Sequence, residues 1–145
     1  MFLHEVLEWY NGKVKNKILL ISFLLVLTTG VLHIIANINH LYWNSFWFDG
    51  LMHFLGGTSV GMLAIWFWFQ SGIFEISVPS KREVFFYTIV CTILIGIGWE
   101  VFEFAHDIAG PLGGKYALDT YNDLVFDFLG GIVASLIGRI KSLYV

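Results

Sequence analysis

Four long apolar stretches dominate the chain, at 17–38, 50–69, 84–105 and 122–140. Each comes close to the roughly 20 mostly apolar residues that a membrane-crossing helix needs. The fourth is the shortest and carries Asp123 and Asp127 near its start. Ahead of the first, Phe2, Leu3, Val6, Leu7, Trp9 and Tyr10 recur at helical spacing, with His4, Glu5 and Glu8 between them. That pattern predicts a short amphipathic helix over 1–12, lying on the membrane surface. Lys13, Lys15 and Lys17 before an apolar run also suit a cleaved signal peptide, but the run is long and no small-x-small cleavage site follows it. The fold expected is all-α: a polytopic four-transmembrane-helix bundle with an N-terminal interfacial helix, in a single membrane domain over 1–145.

Composition narrows the class. Of the 145 residues, 57% are hydrophobic and 13% charged, against about 45–50% and about 25% in an ordinary soluble domain. Mean hydropathy is +0.75. A disordered chain, a nucleic-acid binder and a disulfide-stapled secreted domain are excluded. The single cysteine, Cys91, lies in the third span and allows no intrachain disulfide. Lys and Arg set the direction, because they collect in cytoplasmic loops. Seven of the eight (Lys13, Lys15, Lys17, Lys81, Arg82, Arg139 and Lys141) fall on one side of four spans, and Lys115 falls on the other. Both termini are then cytoplasmic, and Phe46, Trp47 and Phe48 with Trp43 form an aromatic belt outside.

The same direction gathers the remaining polar residues at the outer face. Asp49 and His53 open the second span. Glu100, Glu103, His106 and Asp107 close the third. Asp119, Asp123 and Asp127 open the fourth, and the first ends in His33, Asn37 and His40. Seven of eleven acids and four of five histidines therefore meet opposite one lysine. Asp49/His53 and Asp123/Asp127 are each four apart, on one helix face, and Glu103-x-x-His106 has the spacing of carboxylate-bridged metal sites in bundles. Asp107 and Asp119 also suit solvated loop positions, and a lone histidine such as His33 more often packs than ligates. Glu100, Asp127 and His53 sit inside apolar sequence, where an ionisable group costs at least about 2.5 kcal/mol and marks function. Clustered acids cannot all stay ionised without cations. A divalent metal is expected, held by Asp49, His53, Glu100, Glu103, Asp123 and Asp127, with His106, Asp107, Asp119 and His33 as additional candidates. Oxygen and histidine ligands leave Mg, Mn, Zn or Fe open.

Asp49-Gly-Leu-Met-His53-Phe-Leu-Gly-Gly57 and Asp123-Leu-Val-Phe-Asp127-Phe-Leu-Gly-Gly131 agree at five of nine positions. The likeness predicts two pseudo-repeated helical hairpins, spans one and two with spans three and four, about an axis along the membrane normal. Gly57 and Gly61, with Gly130, Ala134 and Gly138, form small-residue ladders expected to join spans two and four.

Asp49-x-x-x-His53-Phe54, Trp99-Glu100-x-x-Glu103, Asp119-Thr120-x-x-Asp123 and Asp127-x-x-Gly130-Gly131 resemble the YjdF-like uncharacterised bacterial inner-membrane family over about 49–138. The order of these motifs is more distantly similar to VanZ-like proteins, which carry Glu-x-x-Gln and an Asn where Glu103 and Asp127 stand here. The resemblance implies a multi-pass protein of the cytoplasmic (inner) membrane and brings no activity with it.

Three functions fit. One is a metal-dependent hydrolase of a lipid or lipid-linked phosphate at the outer leaflet, with Glu100 or Glu103 as catalytic proton acceptor. The others are a cation or proton transporter and a metal-stabilised accessory protein. A di-iron or di-manganese oxidoreductase would need two Glu-x-x-His motifs, and the chain has one. Membrane lipid is the expected partner, with a lipid-linked substrate and further copies of the chain as candidates and no nucleic acid. The orientation is checked by reporter cysteines: those at Asn44 and Lys115 should label from outside and one at Ser80 should not. Labelling of Asn44 and Ser80 from the same side would reverse the argument.

Overall fold

The computed structural model describes residues 2–45, 47–74, 79–106 and 116–140, with side chains from Lys17 onward. They form helices α1 (Phe2–Ile38), α2 (Leu41–Asn44), α3 (Phe48–Phe69), α4 (Lys81–Ala105) and α5 (Tyr116–Ile137), and no strand occurs among the described residues. Four are long and apolar enough to cross a membrane: Lys17–Ile38 within α1, α3, α4 and α5. The chain is thus an all-helical membrane protein with four spans.

The helix ends follow local chemistry. Ser80 begins α4 with a capping box: its hydroxyl accepts from the Glu83 amide at 3.2 Å, and its own amide donates to Glu83 Oε2 at 2.7 Å. Between α1 and α2 the chain reverses at His40, in left-handed backbone with φ 54°. The fourth span starts at Tyr116 rather than 122, so Asp119 is in the first helical turn and not in a loop. A carboxylate there suits the positive end of the helix dipole. At the N-terminus, the helix expected over 1–12 is not separate from the first span; one helix runs unbroken from Phe2 to Ile38. The one breaker there, Gly12, costs only about 1 kcal/mol in a helix interior, and the lysines after it are good helix formers. At 37 residues this helix is about 55 Å long, well beyond the roughly 30 Å hydrocarbon core.

Helices α3 and α5 form the axis. Gly130 lies against Gly57, Phe54 and Thr58, Gly61 against Ala134, and Ile65 against Gly138, a register that advances in the same direction on both helices. They therefore run parallel, as the internal repeat requires. A Cβ at Gly57 would overlap the Asp127 backbone carbonyl, and one at Gly130 would overlap the Phe54 carbonyl and lie 2.6 Å from the Thr58 nitrogen. The small residues let the two backbones touch.

Among the described residues, helix α4 packs against both α3 and α5, whereas the α1 backbone lies along α3 and stays away from those of α4 and α5. The two hairpins are present, but the exact symmetry of the repeat is not. The α1 face turned away from α3 exposes Leu20, Phe23, Leu24, Leu27 and Ile34, a surface made for lipid. At the end of the bundle away from Asp49, Ile18, Met62, Ile65, Val84 and Ala134 are buried in one apolar cluster. Gly57→Ala should destabilise the protein by about 1–3 kcal/mol, the cost of overpacking. Gly56→Ala, which meets open space, should be neutral or slightly stabilising. Unfolding in mixed micelles followed by circular dichroism compares the two.

Candidate metal centre

The polar side chains face inward. On α3, Asp49 stands in the first turn and His53 one turn deeper. On α4, Val84, Thr88, Thr92, Gly96 and Glu100 form one buried stripe at steps of four. On α5, Asp123 and Asp127 are buried, again four apart. The close α3–α5 contact and the α4 stripe bring these three sets together around the His53 ring.

The imidazole is 7% exposed. Its Nδ1 lies 3.4 Å from Asp127 Oδ2, at the long end of hydrogen bonding. Its Nε2 lies 3.9 Å from Asp49 Oδ1, 3.9 Å from Glu100 Oε1 and 3.8 Å from Asp123 Oδ1. These three distances are too long for hydrogen bonds. If Nδ1–H is donated to Asp127, the Nε2 lone pair faces three carboxylate oxygens, an arrangement that repels unless a proton or a metal ion sits among them. A metal ion could satisfy it. The second ring nitrogen of a metal-bound histidine ordinarily donates to a carboxylate, as Nδ1 does here. One ligand atom each from Asp49, His53 and Asp123 lies within 4.8 Å of the others, so the three could hold a single ion. Glu100 Oε1 is buried with no hydrogen-bond partner, an acceptor left open beside them.

Space for this arrangement comes from glycine. A Cβ at Gly96 would collide with Asp127 Oδ2. Tyr116 then fastens the outer ends of α5 and α4, its hydroxyl donating to the Glu100 carbonyl at 2.8 Å. One turn inside Gly96 the buried Thr92 hydroxyl has no partner, whereas Thr88 on the same stripe donates back to the Val84 carbonyl at 2.6 Å.

The sequence candidates thus divide. Asp49, His53, Glu100, Asp123 and Asp127 come together. Glu103 is half-buried, and its Oε1 accepts from Trp99 Nε1 at 2.8 Å. His106 turns back on its own helix, Nδ1 donating to the Phe102 carbonyl at 2.8 Å with its ring tilted against that of Phe102. Glu103-x-x-His106 is therefore not assembled as a pair. Asp119 lies half-buried at the start of α5, and Asp107 lies outside the described residues. His33 joins Tyr42 and Asn37 instead of the acids. Gly96 and Tyr42 carried no signal as single residues; the spacing of Gly96 four before Glu100 was the only hint of the shared face.

These features define a small helical membrane protein with ionisable groups buried between three spans. The chain belongs to a family of predicted membrane proteins, DUF2238 (YjdF-like), whose model matches residues 3–142. The likeness to VanZ-like proteins is not shown. No curated protein and no solved structure matches the chain.

Metal titration of chelator-treated protein in detergent, followed by calorimetry, should show divalent-cation binding. His53→Ala or Asp123→Asn should abolish it, Asp127→Asn should weaken it by about 10–100-fold as loss of a histidine's carboxylate partner does, and His106→Ala should leave it unchanged.

Proposed function

We propose that the protein is a metal-dependent hydrolase acting on a lipid or lipid-linked phosphate at the outer leaflet of the cytoplasmic membrane, with both termini in the cytoplasm. The observation that carries this reading is the position of the His53 basket. Its nitrogen and the facing oxygens of Asp49, Glu100 and Asp123 lie toward one end of the bundle, and the Asp49 side chain, 39% exposed, leads to the surface. The opposite half is closed by the apolar cluster of Ile18, Met62, Ile65, Val84 and Ala134. Access from one side suits a substrate headgroup and not a cation crossing the bilayer.

A divalent ion held by Asp49, His53 and Asp123 would polarise a phosphate oxygen and lower the pKa of a water molecule. Glu100, with its free Oε1, is placed to take the proton of the attacking water; Asp127 fixes the imidazole. The new P–O bond comes from water, the ester P–O bond breaks, and the proton is returned to the departing alcohol. Transport is the second reading. It is favoured by the unpartnered Thr92 hydroxyl below the basket and opposed by the apolar closure beneath.

Proteoliposomes carrying polyprenyl and glycerolipid phosphates separate the two. Phosphate release should appear, vanish with chelator, and return with added metal. In Glu100→Gln it should fall about 100-fold or more, the scale of a general base. Metal-dependent cation flux without hydrolysis would overturn the enzyme reading in favour of transport; absence of both would leave the accessory role.

A further inference from the structure

An acidic basket presents a problem to any phosphate ligand. Among the described residues of the bundle's Asp49 end, no Lys or Arg stands by to neutralise it. Lys115, expected at the same end, lies outside the described residues; among the described ones, neutral hydrogen-bond donors are what can face the ligand, and the α1–α2 corner supplies one.

Tyr42 sits in α2, half-buried, with its ring edge-on to Phe48 at 5.5 Å between centroids. Asp49 is the next residue after Phe48. The Tyr42 oxygen lies 2.7 Å from His33 Nδ1. The other ring nitrogen of His33, Nε2, lies 3.0 Å from Asn37 Nδ2. The same amide nitrogen donates to the His33 carbonyl at 3.0 Å. That second bond fixes the amide's orientation, since a flipped Asn37 would set oxygen against oxygen. Nε2 therefore accepts from Asn37, so neutral His33 carries its proton on Nδ1 and donates it to the Tyr42 oxygen. The phenol's own proton is not used in that contact and is free to be donated elsewhere.

We propose that Tyr42, oriented by His33 and Asn37, donates a hydrogen bond to a phosphate oxygen of the ligand held at the metal centre. The inference rests on the metal-centre reading above and adds the residue that recognises the anion. Burial, followed by the charges of Asp49 and Glu103, pushes the phenol up to about 12. It therefore keeps its proton throughout the physiological range, as a donor must. The ring contact with Phe48, the residue before Asp49, sets Tyr42 beside the first turn of α3, the end at which the basket opens. A neutral donor does not pair with the surrounding carboxylates and compete with a metal for them, as a Lys or Arg would, and it adds no charge to be buried.

The test is calorimetric binding of inorganic phosphate to Mn2+-loaded protein in detergent, beside binding to Mn2+-loaded protein in nanodiscs with and without phosphatidic acid. Wild type should bind phosphate. Tyr42→Phe should bind it on the order of 10-fold to 100-fold more weakly, the scale of one lost hydrogen bond to a charged group, with Mn2+ affinity unchanged. His33→Ala should weaken phosphate binding in the same direction, again without loss of Mn2+. Saturation by phosphatidic acid but not by free phosphate would assign the anion to a lipid headgroup and carry the same Tyr42 dependence. Equal phosphate affinity in Tyr42→Phe and wild type would overturn the role of Tyr42 while leaving the metal centre standing. Wild-type protein that takes up Mn2+ yet binds neither phosphate source would overturn the hydrolase reading and this inference together.

Discussion

The close contact between α3 and α5 governs the rest of the molecule. Lipid tails are as apolar as the side chains they touch, so burial of apolar surface does little to join spans once they are in the membrane. Backbone proximity must do it. Gly57 and Gly130 remove the side chains that would hold the helices apart. Because the helices run parallel and in register with the repeat, the same contact sets Asp49 and His53 at the depth of Asp123 and Asp127. The polar centre is thus a consequence of how two glycine faces meet. Even a methyl group at Gly57 would press on the backbone of Asp127, the residue that anchors the imidazole.

The bundle buries many polar side chains beside the apolar cluster at one end and turns large apolar ones outward. Its buried side chains include His53, Glu100, Asp123, Asp127, Thr88, Thr92 and Ser135, while large apolar side chains line the exterior. Buried charge is tolerated when it is paired and hydrogen-bonded, and is expensive otherwise. Around His53 four carboxylates from three helices share one imidazole, which leaves negative charge in excess. Cation binding would offset that excess and, by mass action, would stabilise the folded bundle.

Much of this was legible from residue order. Four apolar runs set the spans, and the asymmetry of Lys and Arg grouped the acids at one end. The Asp49 and Asp123 repeats foretold parallel axial helices. Three features escaped for identifiable reasons. His106 has ligand chemistry, but it stands at a helix C-terminus, where orphan carbonyls compete for its proton. Glu103 lies one helical turn from Trp99, and that local bond takes one of its oxygens. Tyr42 depends on the reversal at His40, whose left-handed backbone has no signature in an apolar-polar pattern. The repeat also suggested more symmetry than exists, because likeness between α3 and α5 says nothing of whether α1 and α4 pack equivalently.

The division of the His53 surroundings among helices bears on how the protein is made. Spans enter the membrane in chain order. When α3 has entered, His53 has only Asp49, from its own helix. Glu100 arrives with α4, and Asp123 and Asp127 arrive last, with α5. A nascent chain that stops short of α5 leaves Gly96 facing a vacant notch and the imidazole without its anchoring carboxylate. Such a chain holds ionisable groups in the bilayer without their partners, which is costly at membrane depth. The cluster around His53 is therefore complete only once the last span is in place.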